Sequence, residues 1–259
     1  NNVMLDDMLN MLNYDNGKFI DIFTEDIKSF VIFYNAVKQS IENINNLSSA
    51  QWEALVNSFI NPANKDEIES VISYKSPYFD PINKALTEQK TQGIPPSGQI
   101  KQIIDNLTSY IQTQEVPQDM VVYRGEGYQV LNSAGNVTVQ FSDGSSATKP
   151  LGDLLQDAVS YPENKRNELI NQLLDMNLVA TQERFMSTSA GKSTSFGGSV
   201  KWELKVPAGS HALYAELANL DDDNHQGEIE FLLQRDSQIV FDTITYQNGT
   251  WKCQGTVNT

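Results

Sequence analysis

From the amino end to about residue 115 the apolar positions recur at three- and four-residue steps. Ile27, Phe30, Val31, Tyr34, Val37 and Ile41 form one such stripe, the spacing of a helix with a single buried face. Ser48 and Gln51 make a capping box ahead of Trp52, Leu55, Val56, Phe59 and Ile60, which keep the same period. Pro77 and Pro81 bracket a break. Ile82 and Leu86, then Ile100, Ile103, Ile104, Leu107 and Ile111, predict two more helices on either side of the Gly93-Ile94-Pro95-Pro96 loop. Residues 1–115 therefore read as a small helical bundle.

After Pro117 the period shortens. Residues 120–123 are a brief apolar run, read as a buried strand that opens into a loop at Arg124-Gly125. Val137, Val139 and Phe141 alternate with polar residues up to Asp143-Gly144, so 130–149 is expected to be an inserted β-ribbon at the surface. Helices are expected around 151–159 and 167–176. Strands follow: Val200, Trp202, Leu204 and Val206 alternate with Lys201, Glu203 and Lys205, as one wet face requires. Residues 212–216, 228–234 and 237–246 continue the pattern, and Asn248-Gly249 is a hairpin signal. Helices first and strands later imply an α+β fold. The parts 1–115 and 116–259 are expected to form one integrated domain.

Composition narrows the chemistry. The chain has 259 residues, 39% hydrophobic, ample for a core. Its 33 acidic and 18 basic side chains give a net charge of -15, which repels nucleic-acid phosphates and anionic lipid. No apolar run approaches the roughly 20 residues of a membrane span. With Cys253 alone, and only His211 and His225, neither a disulfide framework nor a cysteine or histidine metal site is expected. The run Asp221-Asp222-Asp223-Asn224 lacks the spaced ligands of a calcium loop and reads as solvated. His225 reads as a surface residue and His211 as structural. Chemistry must then run on carboxylates, hydroxyls and arginine.

Three pieces supply those groups: Arg124 at a strand end, Ser187-Thr188-Ser189 after Phe185-Met186, and Glu228-Ile229-Glu230 opening a strand. Each is ordinary alone. Strand alternation puts Glu228 and Glu230 on one face, about 7 Å apart at their α-carbons. Such a pair can stabilise an oxocarbenium-like cation with one member while the other orients an incoming nucleophile. A serine hydroxyl can fix the first carboxylate, and an arginine fork can anchor a pyrophosphate. The combination points to glycosyl transfer from a nucleotide with a phosphate bridge.

These residues resemble the bacterial mono-ADP-ribosyltransferase toxins of the Arg-Ser-Glu type. The matching strings are Val121-Val122-Tyr123-Arg124-Gly125, Phe185-Met186-Ser187-Thr188-Ser189 and Gly227-Glu228-Ile229-Glu230-Phe231-Leu232-Leu233. Weaker support comes from Lys205-Val206-Pro207-Ala208-Gly209 with Tyr214, and from Tyr78 through Ile82-Asn83-Lys84-Ala85-Leu86. The resemblance implies a helical part packed on a mixed two-sheet β-sandwich, with NAD as substrate and no metal. It implies that Arg124 holds an NAD phosphate, that Gly125 meets the nicotinamide amide, and that Phe196 flanks the nicotinamide ring. Thr188, Ser189, Tyr78 and Asn83 complete the implied NAD-binding set.

The same resemblance implies that Ser187 hydrogen-bonds Glu230, which touches the ribose 2′-hydroxyl and stabilises the cation as nicotinamide departs. Glu228 then positions the acceptor, and a glutamate there implies an arginine side chain of a host protein. The loop before it, with Asn219, Leu220, His225 and Gln226, is where relatives carry target-recognition residues; this one lacks their exposed aromatic. A secreted protein, processed to a mature chain and working as a monomer, is expected. An NAD glycohydrolase without a protein acceptor, or an inactive NAD-binding adaptor, are the alternatives. The stripe of Leu5, Met8, Leu9 and Leu12 beside Asp6 and Asp7 has no basic face for a membrane.

Overall fold

The protein is seen in a computed structural model that describes residues 65–75, 79–116, 119–190, 197–215 and 230–259. The stripes expected at 27–41 and 48–60 lie outside them, as does the run from Leu5. Among the described residues three helices come first: α1 (Lys65–Lys75), α2 (Phe79–Gln92) and α3 (Gly98–Gln112). The second and third are those the apolar spacing predicts. Gly93, at φ 70, ends α2; its N–H bonds back to the Gln89 carbonyl at 3.2 Å, the left-handed cap that glycine adopts without strain. The first helix was not anticipated, although Val71 and Tyr74, three residues apart, are both buried.

Strand β1 (Met120–Glu126) follows, then a 3-10 turn (Tyr128–Ala134) and the hairpin of β2 (Asn136–Gln140) and β3 (Ser146–Pro150). The expected ribbon thus starts later than residue 130. It is also less superficial than expected, because Val137, Val139 and Phe141 on its apolar face are buried in the core. Helices α4 (Leu151–Ala158) and α5 (Glu163–Asp175) pack beside it. Arg166 of α5 donates to the carbonyls of Ala158, Val159 and Tyr161, which end α4, supplying acceptor groups that a helix end leaves open.

The remaining strands are β4 (Val179–Gln182), β5 (Met186–Ser189), β6 (Val200–Val206), β7 (Ala212–Tyr214), β8 (Glu230–Leu233), β9 (Ser237–Gln247) and β10 (Thr250–Asn258). The Asn248-Gly249 hairpin joins the last two, with both residues at positive φ, as the primed turn demands. Eight strands lie in the order β4-β9-β10-β6-β1-β5-β8-β7. Only β10 and β6 are parallel among these pairs, so the sheet is mixed. The hydrogen bonds join all eight in one order, and β2 and β3 form a separate two-stranded sheet. The seam between β1 and β5 is thin, with Tyr123 opposite Ser189 as its registered pair.

Alternation splits the core in two. Phe231 and Leu233 of β8 join the cluster beneath α4, α5 and the hairpin, which also holds Trp202 and Trp251. Leu232, between them, faces the helical side with Ile82, Leu86, Leu107 and Ile111. The helices α1 to α3 are thereby seated against the β5-β8-β7 end of the sheet. That contact builds the wall of the site.

Candidate active site

A cavity of about 600 Å³ lies between α2 and the chain from Gln182 to Ser187. Arg124, Ser187 and Glu230 all line it, so two strands of the sheet and a third at the seam deliver one group from each motif to a common space. Register explains how. Ser189 of β5 stands opposite Glu230 of β8, and Ser187 stands opposite Leu232. Residues directly opposite share a face, so Ser187 and Glu230 are diagonal neighbours on the helical side.

The polar triplet is not a unit. Thr188 points to the other face, is 4% exposed and donates its hydroxyl to the Phe231 carbonyl at 2.7 Å. It does not line the cavity. This is the strand's period of two acting on three consecutive hydroxyls.

Strand β1 does not stop before Arg124 as expected. It runs on through Gly125, opposite Lys201, to Glu126, opposite Val200. Arg124 and Glu126 share a face, and Arg124 Nε donates to Glu126 Oε2 at 2.8 Å. Arg124 Nη1 also donates to the Ser187 carbonyl. Glu126, its side chain 4% exposed, accepts a second bond, from the Trp202 indole N–H at 2.6 Å. The guanidinium is thus oriented from two sides before any substrate arrives. Gly198 packs on the backbone of Glu126 so closely that a Cβ there would lie 2.4 Å from its nitrogen.

The helical wall contributes more than the sequence indicated. Asn83 and Lys84 of α2 line the cavity, with Thr87 further along. Thr87 donates to Glu183 at 3.0 Å. Tyr74 donates to the Phe185 carbonyl at 3.1 Å and to Asn83 Oδ1 at 3.4 Å. Lys75, the last residue of α1, lies 3.5 Å from Glu230 Oε2. Gln182 is buried in the lining, and its Nε2 has no acceptor among the described residues. The sequence offered no periodic or motif signal for Glu126, Lys75 or Gln182; pairing across the fold gives them their places.

Burial, then the charge of Glu230, pushes the Tyr74 phenol up to about 12. Burial, then Glu67, does the same for Tyr110, also to about 12. Both phenols keep their protons longer when folded, so the stability they support is complete below about pH 10 and is lost as pH rises toward 12. Denaturant melts across that range are expected to show a decline on the order of 2–3 kcal/mol per tyrosine. Tyr74→Phe and Tyr110→Phe should flatten it; an unchanged slope would contradict the assignment.

Tyr78, Phe196, Asn219, Leu220, His225, Gln226 and Glu228 lie outside the described residues. His211 is away from the cavity: its Nδ1 lies 3.1 Å from the Gln114 carbonyl and its Nε2 is 2.9 Å from Gln112. Burial pushes the Cys253 thiol up to about 12, so it is held as an inert core residue. Among the described residues no group of three or more His, Cys, Asp or Glu side chains is arranged for a metal ion. Among them, too, no helix is long and apolar enough to cross a membrane.

The sequence profile of the family described as ADP-ribosyltransferase exoenzyme matches residues 34–258. Among curated protein sequences none matches. Solved structures do. The C3stau2 structure from S. aureus with NAD aligns at TM-score 0.58 and 18% identity, over 85% of this chain and 95% of that one. Plx2a, an ADP-ribosyltransferase toxin from Paenibacillus larvae, aligns at 0.56 and 18%, over 88% and 96%. C3larvin toxin, an ADP-ribosyltransferase from the same organism, aligns at 0.54 and 23%, over 76% and 88%. At these identities the likeness establishes the shared fold.

Proposed function

The chain belongs to the ADP-ribosyltransferase exoenzyme family, and from that premise we propose that it transfers ADP-ribose from NAD to an arginine side chain of a host protein, releasing nicotinamide. The observation that carries this reading is the convergence of Arg124, Ser187 and Glu230 on one cavity. A carboxylate, an oriented guanidinium and a hydroxyl are the groups that departure of nicotinamide from a pyrophosphate-bearing nucleotide requires.

Arg124 holds a phosphate of NAD with the guanidinium N–H groups not engaged by Glu126 and Ser187. Asn83, on the opposite wall, serves the same ligand, as does Ser189, which stands opposite Glu230 in the strand register, while Ser187 hydrogen-bonds the Glu230 carboxylate. Gly125, next to Arg124, gives backbone contact to the nicotinamide amide, with Phe196 beside the ring and Tyr78 also binding NAD. The bond between ribose C1′ and the nicotinamide nitrogen breaks, its electron pair leaving with nicotinamide. Glu230 faces the resulting cation. A guanidine nitrogen attacks C1′, and its proton passes to Glu228, whose position two residues before Glu230 in the sequence supports an arginine acceptor by bidentate pairing. The loop carrying Asn219, Leu220, His225 and Gln226 meets the target.

Water can replace the acceptor, giving NAD glycohydrolysis as a side reaction. We take the protein to act as a monomer, secreted and delivered to a target cell, with the net charge of -15 favouring encounter with a basic, arginine-exposing partner. The experiment that separates transfer from hydrolysis is Glu228→Gln. Modification of arginine acceptors is expected to be lost while most nicotinamide release persists; equal loss of both would remove the role given to Glu228.

A further inference from the structure

Lys75 is an unusual residue for its position. Its side chain is 3% exposed and that of Glu230 is 7% exposed, with Nζ and Oε2 3.5 Å apart. A lysine so deep is rarely found without a partner, and an ammonium removed from water needs an opposite charge. The stem has no easy retreat. Tyr74, one residue earlier, is tied to the Phe185 carbonyl, and its ring meets that of Phe185 edge-on at 5.7 Å.

Among the described residues other charged groups line the same cavity, and Arg124, Arg184 and Lys84 each have a recorded contact with another group. Arg124 of β1 is bonded to Glu126 and to the Ser187 carbonyl. Arg184, before β5, lies 3.6 Å from Glu183. On α2, Lys84 lies 3.8 Å from Glu88, and Asp80 is the remaining acid. Among the described residues Lys75 brings an ammonium against Glu230.

We propose that Lys75 is a positioning residue of the transfer reaction, its ammonium holding the Glu230 carboxylate aimed into the cavity so that it meets the ribosyl cation without reorganising. The inference rests on the reading of Glu230 as the carboxylate that faces this cation. Its physical basis is the asymmetry of buried ion pairs: removing one partner leaves the other charge uncompensated. A buried carboxylate that loses this cation can turn toward water, and its negative charge then no longer stands opposite C1′. Lys75 acts through the carboxylate it contacts, so its loss is expected in turnover before NAD binding.

The test is nicotinamide release from NAD by the full chain, comparing wild type with Lys75→Met, which keeps the stem's length and apolar character, and Lys75→Arg, which keeps the charge. Lys75→Met is expected to lower kcat by at least about 10-fold with KM for NAD within about 3-fold. Lys75→Arg should recover most of that loss. Adding Lys75→Met to Glu230→Gln should change kcat less than about 2-fold, because a residue acting through Glu230 has nothing left to act through. Full turnover in Lys75→Met, or a loss carried undiminished onto Glu230→Gln, would overturn the proposal. Should Lys75→Met fold poorly in a thermal melt, Lys75→Gln is read in its place against the same limits. A wild type that releases no nicotinamide, or a Glu230→Ala variant with undiminished release, overturns the functional reading itself; an active, Glu230-dependent enzyme indifferent to Lys75 overturns the positioning role alone.

Discussion

Glu230→Ala is expected to lower nicotinamide release from NAD by at least about 10²-fold, on the order of 3 kcal/mol of transition-state stabilisation. The size follows from where the carboxylate sits. It opens β8, it is 6% exposed, and it lines the cavity beside Ser187 and Arg124. A fixed negative charge with little water around it acts on a developing cation far more strongly than a solvated one. Alanine removes the charge and leaves Lys75 buried without that partner, which adds to the loss. The measurement is the kcat for nicotinamide release, with a thermal melt to confirm folding. The loss should appear equally in transfer and in hydrolysis, since both pass through departure of nicotinamide. A folded variant that retains turnover would contradict the account at its centre.

The second large effect is expected where no substrate binds. Glu126→Ala should destabilise the fold by about 3–5 kcal/mol, the range for breaking a buried pair from one side. For a chain of this size that is a fall in melting temperature of roughly 10 °C. Glu126 accepts from Arg124 Nε at 2.8 Å and from the Trp202 indole at 2.6 Å, so its removal strands two donors, one of them cationic. Trp202 is 1% exposed and has no route to water. The same variant should raise KM for NAD, because Arg124 keeps only its bond to the Ser187 carbonyl as an orienting contact. Glu126→Gln, which retains one acceptor oxygen, should fall between. A melting temperature unchanged within a degree or two in Glu126→Ala would show that the pair contributes little.

Much of the site was legible because its groups are written in local strings. Arg124, Ser187 and Glu230 each sit in a short string that stands out in the sequence, and α2 and α3 follow the apolar spacing of Ile82, Leu86, Ile103, Leu107 and Ile111. The two hairpin turns at Asp143-Gly144 and Asn248-Gly249 were readable for the same reason: positive φ at Gly144, Asn248 and Gly249 demands those residue types. The misreadings have a common source in pairing between distant segments. β1 extends to Glu126 because β6 continues beside it to Val200, and nothing within residues 120–126 announces a partner so far along the chain.

Glu126 itself is one of 33 acidic residues, and only Trp202 and Arg124 distinguish it from a solvated one. Lys75 is hidden in the same way, its role set by a strand that follows many elements later. Thr188 is the opposite case. It shares one polar run with its serine neighbours, yet strand alternation alone separates it from them, and its bond to the Phe231 carbonyl is the result. The α1 helix was overlooked because its apolar stripe is short, with charged residues at Lys65, Asp66, Glu67 and Glu69 around it. Packing against α3 and α2 supplies what its own sequence lacks.

The most direct measurement is nicotinamide release from NAD by the purified chain, with and without a soluble guanidine that mimics arginine. The account predicts measurable release alone, a higher rate with the guanidine, and a guanidine product carrying one ADP-ribose. Release that ignores the guanidine, with free ADP-ribose as the product, would contradict arginine transfer and leave a glycohydrolase; no release at all would contradict the assignment of Glu230, Ser187 and Arg124 to catalysis.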